Sequence, residues 1–275
     1  MTDSDSDPGP ASDLGKPSPA DALRFAFGTL TALPVTVTRW DRPAARGGML
    51  CAPVVGAVVG LCAAGVGGVL LLLNASPLLA AVATAAVPAA LTRGLHLDGL
   101  ADTADGLGSA KPAEDALRIM KQSDIGPFGV LTLLFVLLTQ VACLAALYAD
   151  SWSHGAAGAA VSAVTARTAM TLACRDGVPP ARPDGLGAAV AGAVPLRTAA
   201  VVAAATPALA AALGALFALP TALHFALSAL LALSAAELLL RHCRRRFGGI
   251  TGDVFGALCE TAATVALVVL SLGLQ

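Results

Sequence analysis

The chain has 275 residues, of which 56% are hydrophobic, 4% aromatic and only 13% charged, with a mean hydropathy of +0.77. A soluble domain would hold about 45–50% apolar and about 25% charged residues, so a soluble globular protein is excluded and a polytopic membrane protein is expected. The formal net charge of −1 says nothing about partners, because the distribution of charge matters more than its sum; no nucleic-acid partner is expected.

Residues 1–20 are rich in Asp, Ser, Pro and Gly and read as a disordered cytoplasmic tail, with residues 21–275 forming a single membrane-embedded catalytic domain. From Asp21 to Val37 the apolar residues Leu23, Phe25, Phe27, Leu30 and Leu33 are interrupted by Gly28 and Pro34. That stretch is too short and broken to span, and it reads as an N-terminal interfacial or re-entrant helix. Trp40, Asp41, Arg42 and Arg46 then mark the membrane surface.

Apolar runs long enough to cross, or nearly so, follow at 47–73, 77–95, 127–149, 155–174, 196–218, 221–240 and 253–274. The fold class expected is an all-α integral membrane protein, a polytopic bundle of about seven transmembrane helices. Gly, Ala, Ser and Thr recur through the runs and suit close helix packing in lipid, although the single Gly56–Gly60 GxxxG is a weak signal among 28 glycines. The six cysteines are scattered with no CxxC pair and read as small core residues.

The joints at 74–76, 150–154 and 219–220 contain no Lys or Arg. The alternate loops carry Lys111, Arg118 and Lys121, then Arg175, Arg182 and Arg197, then Arg241 with Arg244 to Arg246. Seven helices with a cytoplasmic N-terminus therefore put every Lys and Arg except Arg167 on or near the cytoplasmic side of a multi-pass plasma-membrane protein.

Chemistry concentrates in RGLHLDGLADTADGLG, Arg93 to Gly108. As a helix, with 100° of rotation per residue, it sets Asp102 and Asp105 about 40° and 20° either side of Asp98. Three stacked carboxylates near lipid call for an offsetting charge, most simply a hard divalent cation. On the same side come Lys121 with Gly126 and Pro127, Arg167 and Arg175, and a segment in which Thr251 can cap the last helix. Asp253 and Glu260, seven apart, share a face of that helix. Helix N-termini, Lys121 and the arginines make a setting for a phosphate or diphosphate, with carboxylates holding the metal that bridges its oxygens. Each residue also has an ordinary reading: basic residues as positive-inside anchors, His96 as a hydrogen-bonded structural group, Asp253 as a first-turn carboxylate. Arg167, deep in an apolar span, requires a partner, whether functional or structural.

LHLDGLADTADG, IMKQSDIGPFGVL and RRRFGGITGDVFGALCE resemble, in order and spacing, the signature segments of the cobalamin synthase family, adenosylcobinamide-GDP ribazoletransferases, and LTALPV at Leu30 to Val35 resembles the family's opening. The likeness runs from about Asp21 to the C-terminus. It departs where many members read K-D-S-R-I-G and this chain has Lys121-Gln122-Ser123-Asp124-Ile125-Gly126, so Lys121 and Gly126 carry over and Gln122 and Asp124 do not. Val178 to Gly187 is loosely similar to the family's Arg-then-Gly-Leu-Gly pattern, through Arg182 and Gly185-Leu186-Gly187.

The resemblance implies joining of adenosylcobinamide-GDP to α-ribazole or its 5′-phosphate with release of GMP, and dependence on Mg²⁺. It implies Asp98, Asp102, Asp105 and Asp253 as metal ligands. Arg93, His96, Lys121, Gly126, Arg167 and Thr251 would be substrate- and phosphate-binding. Asp105, Lys121 and Glu260 would be catalytic, the attacking proton going to Asp105, to Glu260 or to a hydroxide on the metal. Other late cobalamin-pathway enzymes and copies of the same chain are the candidate partners. Two rivals fit less well. A CDP-alcohol phosphotransferase would follow Asp98-Gly99 with an Arg that this chain lacks. A cation-coupled transporter would carry polar groups on both sides, whereas here the outer joints hold only Asp150 and His154.

Overall fold

The computed structural model describes residues 16–273, so the proposed tail lies mostly outside the described residues. Among these residues twelve helices follow one another: α1 Pro19–Leu30, α2 Arg42–Leu50, α3 Ala52–Leu72, α4 Pro77–Leu91, α5 Leu95–Gly108, α6 Ala113–Ile119, α7 Pro127–Asp150, α8 Trp152–Ala173, α9 Gly185–Val190, α10 Leu196–Ala215, α11 Leu219–Phe247 and α12 Gly252–Ser271. Among the described residues there is no strand, only two isolated bridges, Arg175 with Val194 and Pro180 with Ile250.

The seven apolar runs correspond to α3, α4, α7, α8, α10, α11 and α12. Five of these are long and apolar enough to cross a membrane, and six are if the bent pair α4–α5 counts as one broken span. The seventh, α8, has 22 residues but is diluted by Ser, Thr and Arg167. Its position explains that composition: α8 is enclosed by α3, α7, α10, α11 and α12, so little of it meets lipid. On its neighbours, Leu61, Leu72, Leu134, Phe135, Leu209, Leu223 and Leu238 point outward as an apolar belt, the surface a bilayer covers.

Small residues set the α3–α8 contact. A Cβ on Gly56 would lie 2.5 Å from the Ala163 carbonyl oxygen and one on Gly60 2.9 Å from Ala160 Cα, so the GxxxG is a packing face after all. The N-terminal segment is short and helical as expected: Ser18 caps α1 and receives Asp21 in a reciprocal capping box, and Phe25, Ala26 and Leu30 are buried.

Three expected boundaries are corrected. The run at 47–73 is two helices divided at Cys51, because Gly47, Gly48 and Pro53 disfavour one continuous helix. The run at 77–95 stops at Leu91, where Arg93 (φ +51°) and Gly94 (φ +72°) take left-handed conformations and the chain turns by 87° into α5. The basic group Arg241 and Arg244 to Arg246 is the last two turns of α11, a 29-residue helix, and not a loop; cations there oppose the negative end of the helix dipole, and Gly248 (φ +83°) ends it.

Candidate active site

The turn at Arg93–Gly94 aims α5 at the N-terminal half of α12, and two glycines let the backbones meet. A Cβ on Gly99 would sit 2.6 Å from the Asp253 carbonyl oxygen, and one on Gly256 2.6 Å from that of His96. No larger residue fits at either place. The consequence is electrostatic: Asp98, Asp105 and Asp253 all lie close enough to Asp102 to repel its charge, with Arg182 the attractive neighbour. Thr251 caps α12, accepting from Val254 N at 3.2 Å, and donates to Asp253 Oδ2 at 3.1 Å. Arg182 donates to the same oxygen at 3.4 Å and, through its other terminal nitrogen, to the Leu117 carbonyl at 2.5 Å. Asp98 is exposed and Asp102 half-buried, and neither side chain has a hydrogen-bond partner among the described residues.

Asp105 is used differently. Its carboxylate accepts from Gly126 N at 2.8 Å and Gly129 N at 2.9 Å, so it caps the start of α7 from another helix. Cβ atoms on those glycines would lie 2.4 and 2.6 Å from its oxygens, which accounts for both glycines of Gly126-Pro127-Phe128-Gly129. Pro127 occupies the first turn, where its missing N–H costs nothing. A carboxylate at a helix N-terminus is stabilised by the N–H groups it meets and by the dipole.

The loop between α8 and α10 is tied across the start of α12. Ala181 N donates to the Ile250 carbonyl at 2.8 Å, and Ile250 N to that of Pro179 at 3.0 Å. A Cβ on Gly249 would meet the Pro179 oxygen at 2.4 Å, so glycine admits the strand-like pairing. This lays Arg182 over Asp253 and Asp184 against Lys121, whose Nζ donates to Asp184 Oδ2 at 3.2 Å. The Lys121 ammonium holds the exposed Asp184 carboxyl below the usual carboxylate range. Composition and spacing do not single out Arg182 or Asp184 as site residues; the loose Arg182…Gly185-Leu186-Gly187 likeness is the signal the sequence offers for this loop.

His96, Arg167 and Glu260 are brought together, but away from the aspartates. All three are buried in the bundle. An Arg167 terminal nitrogen lies 3.3 Å from His96 Nδ1, and Gln140 donates to Glu260 Oε2 at 2.9 Å and to Thr264 at 3.0 Å. Arg167, Gln140 and Glu260 face a small cavity of about 40 Å³. Arg93 is exposed at the α4–α5 break.

Among the described residues, one trio of His, Cys, Asp or Glu has ligand atoms within 4.8 Å of one another: His96, Cys259 and Glu260. Arg167 already supplies the positive charge beside it. Asp98, Asp102 and Asp253 are more widely spaced. They offer oxygen donors alone, the ligand type that hard divalent cations take.

Residues 22–271 match the family model described as cobalamin-5-phosphate synthase. Relatives described as adenosylcobinamide-GDP ribazoletransferase include one from Frankia casuarinae, 44% identical over 262 residues, covering 90% of this chain and 94% of the relative. Another, from Nocardioides sp., is 40% identical over 248 residues, covering 90% and 96%. A third, from Bradyrhizobium diazoefficiens, is 41% identical over 261 residues, covering 90% and 92%. No solved structure gives a significant match.

Proposed function

Because this chain belongs to the cobalamin-5-phosphate synthase family, we propose that the aspartate–arginine cluster at the meeting of α5 and α12 is where it works as an adenosylcobinamide-GDP ribazoletransferase. The reaction joins adenosylcobinamide-GDP to α-ribazole, or to its 5′-phosphate, and releases GMP. The observation that carries the assignment is the glycine contact, Gly99 against Asp253 and Gly256 against His96, which crowds like charges that nothing in the fold requires to be adjacent.

In this reading the ribose 3′-hydroxyl of α-ribazole attacks the cobinamide-side phosphorus, and the bond from that phosphorus to the bridging oxygen of GMP breaks. Asp98, Asp102 and Asp253 would hold Mg²⁺, which when bound neutralises charge on the diphosphate. Lys121 and Arg182 bind phosphate oxygens, exchanging their present partners Asp184 and Asp253 for the anion. Whichever of Asp98 and Asp102 is not committed to the metal takes the hydroxyl proton, since both lack hydrogen bonds from the protein while Asp105 and Glu260 are engaged by the α7 N-terminus and by Gln140. This end faces the cytoplasm of a plasma-membrane protein, as the distribution of basic residues favours.

Purified membranes should release GMP from adenosylcobinamide-GDP only when α-ribazole is added, and EDTA should abolish the release. Asp102→Asn, inserted at the wild-type level, should lower kcat by about 10²–10³-fold, the usual loss for one charge-stabilising group. GMP release indifferent to α-ribazole would overturn the reading.

A further inference from the structure

Beside the aspartate cluster a groove of about 690 Å³ runs between the end of α1, the α4–α5 break and the start of α7. Pockets of about 300–1,000 Å³ bury small-molecule ligands, a class that includes a nucleoside. Its polar wall has an unusual bias. Thr29 donates its hydroxyl proton to the Phe25 carbonyl and Thr31 to that of Phe27, both at 2.6 Å, so both hydroxyl oxygens are left as acceptors, that of Thr31 already taking one bond from Leu33 N at 3.2 Å. Asp98 is a third acceptor. Against these stands one cation, Arg93, fixed at the lip by its left-handed backbone, its guanidinium making no ion pair or hydrogen bond among the described residues. Ile125 and Leu133 complete an apolar side.

Acceptors along one wall suit a polyol, whose hydroxyls donate. The apolar side suits a flat base. A lone exposed arginine suits one anionic group at the outer end. We infer that this groove is the pocket for the acceptor nucleoside, with its ribose directed to Asp98 and its 5′-phosphate, when present, held by Arg93. The inference rests on the ribazoletransferase reading above and adds to it which substrate enters where, and which residue distinguishes the phosphorylated acceptor from the free nucleoside.

The test compares kcat/KM for α-ribazole 5′-phosphate with that for α-ribazole in proteoliposomes of defined lipid, for wild type, Arg93→Asn and Arg93→Lys. Asn tolerates the left-handed backbone, so the first change removes charge without straining the turn. The ratio of the two values should fall about tenfold or more in Arg93→Asn, the effect of one charge-assisted hydrogen bond, and recover most of the way in Arg93→Lys. A ratio unchanged in Arg93→Asn would overturn the assignment. So would an equal loss with both acceptors, which would mean that Arg93 serves the fold or holds a lipid phosphate. Wild-type protein that uses neither acceptor would instead overturn the reaction itself, and the groove assignment with it.

Discussion

The α5–α12 contact carries two polar regions of opposite design. The contact runs antiparallel, with His96 meeting Gly256 and Gly99 meeting Asp253. Towards the solvent end stand Asp98, Asp102 and Asp253, crowded carboxylates of which two have no hydrogen-bond partner. Towards the interior lie His96 and Glu260, where the acid is matched by Gln140 and by the nearby Arg167. Water or a ligand can offset charge at the solvent end. In the interior nothing but the protein can, because an uncompensated ion there costs several kcal/mol or more. Carboxylates crowded together at one end, and an acid beside a cation at the other with only His96 Nε2 and Arg167 Nε lacking a partner, therefore set the two regions apart.

That separation breaks most visibly if Arg167 is removed. Arg167→Met leaves Glu260 with one donor and no neighbouring cation, and should destabilise the protein by the penalty of an uncompensated buried ion. It should be read as a lower melting temperature in detergent and a poor yield of inserted protein. Adding Glu260→Gln should recover most of that stability, because both charges are then gone. A single variant that melts with the wild type would show that Arg167 is not part of the interior balance.

A smaller effect probes Asp105, about one turn of α5 beyond Asp102 and further from His96. Gly129→Ala would put a methyl 2.6 Å from Asp105 Oδ2, with Ile125 Cγ1 at 3.0 Å and Ala101 Cβ at 3.1 Å. Overpacking of this kind costs about 1–3 kcal/mol, and the displaced carboxylate would uncap α7 as well. Gly65→Ala is the control: it is in a helix with nothing within 4 Å of the added carbon, and should melt at or slightly above the wild-type temperature. Equal melting of the two variants would remove the α7 cap from the description.

What the sequence made legible, and what it hid, follows the same division. All seven apolar runs became helices, since length and hydropathy are properties of the run itself. Thr251 and Pro127 took the terminal positions that their chemistry favours, because capping is local. Glu260 shares a face of α12 with Asp253, as their spacing predicts, but lies deeper: seven residues keep the azimuth and move about 10 Å along the axis. That distance carries it from the solvent end to Gln140. Asp105 read as a metal ligand because its spacing from Asp98 and Asp102 is right, while its partners Gly126 and Gly129 lie across a loop that spacing cannot fold. Arg182 and Asp184 were hidden for a similar reason. Their position depends on Gly249 admitting the pairing of Pro179–Ala181 with Ile250, a contact between segments about 70 residues apart.

The mildest test concerns the exposed ion pair at the solvent end. Lys121 and Asp184 lie 3.2 Å apart with side chains 55% and 66% exposed, where solvent screens the attraction. Lys121 depresses the folded-state pKa of Asp184, so whatever the pair contributes is present above the unfolded carboxylate value near 3.9. It is lost as pH falls through the lower folded value, and Asp184→Asn should melt with the wild type there and only marginally below it at pH 7. Activity should respond in the other direction. With Asp184 neutral, Lys121 has no competing carboxylate to leave, and the KM for adenosylcobinamide-GDP should fall modestly at pH 7 with kcat nearly unchanged. A raised KM would mean that Asp184 positions Lys121 for the diphosphate instead of competing with it, making that pair part of the chemistry despite its being matched.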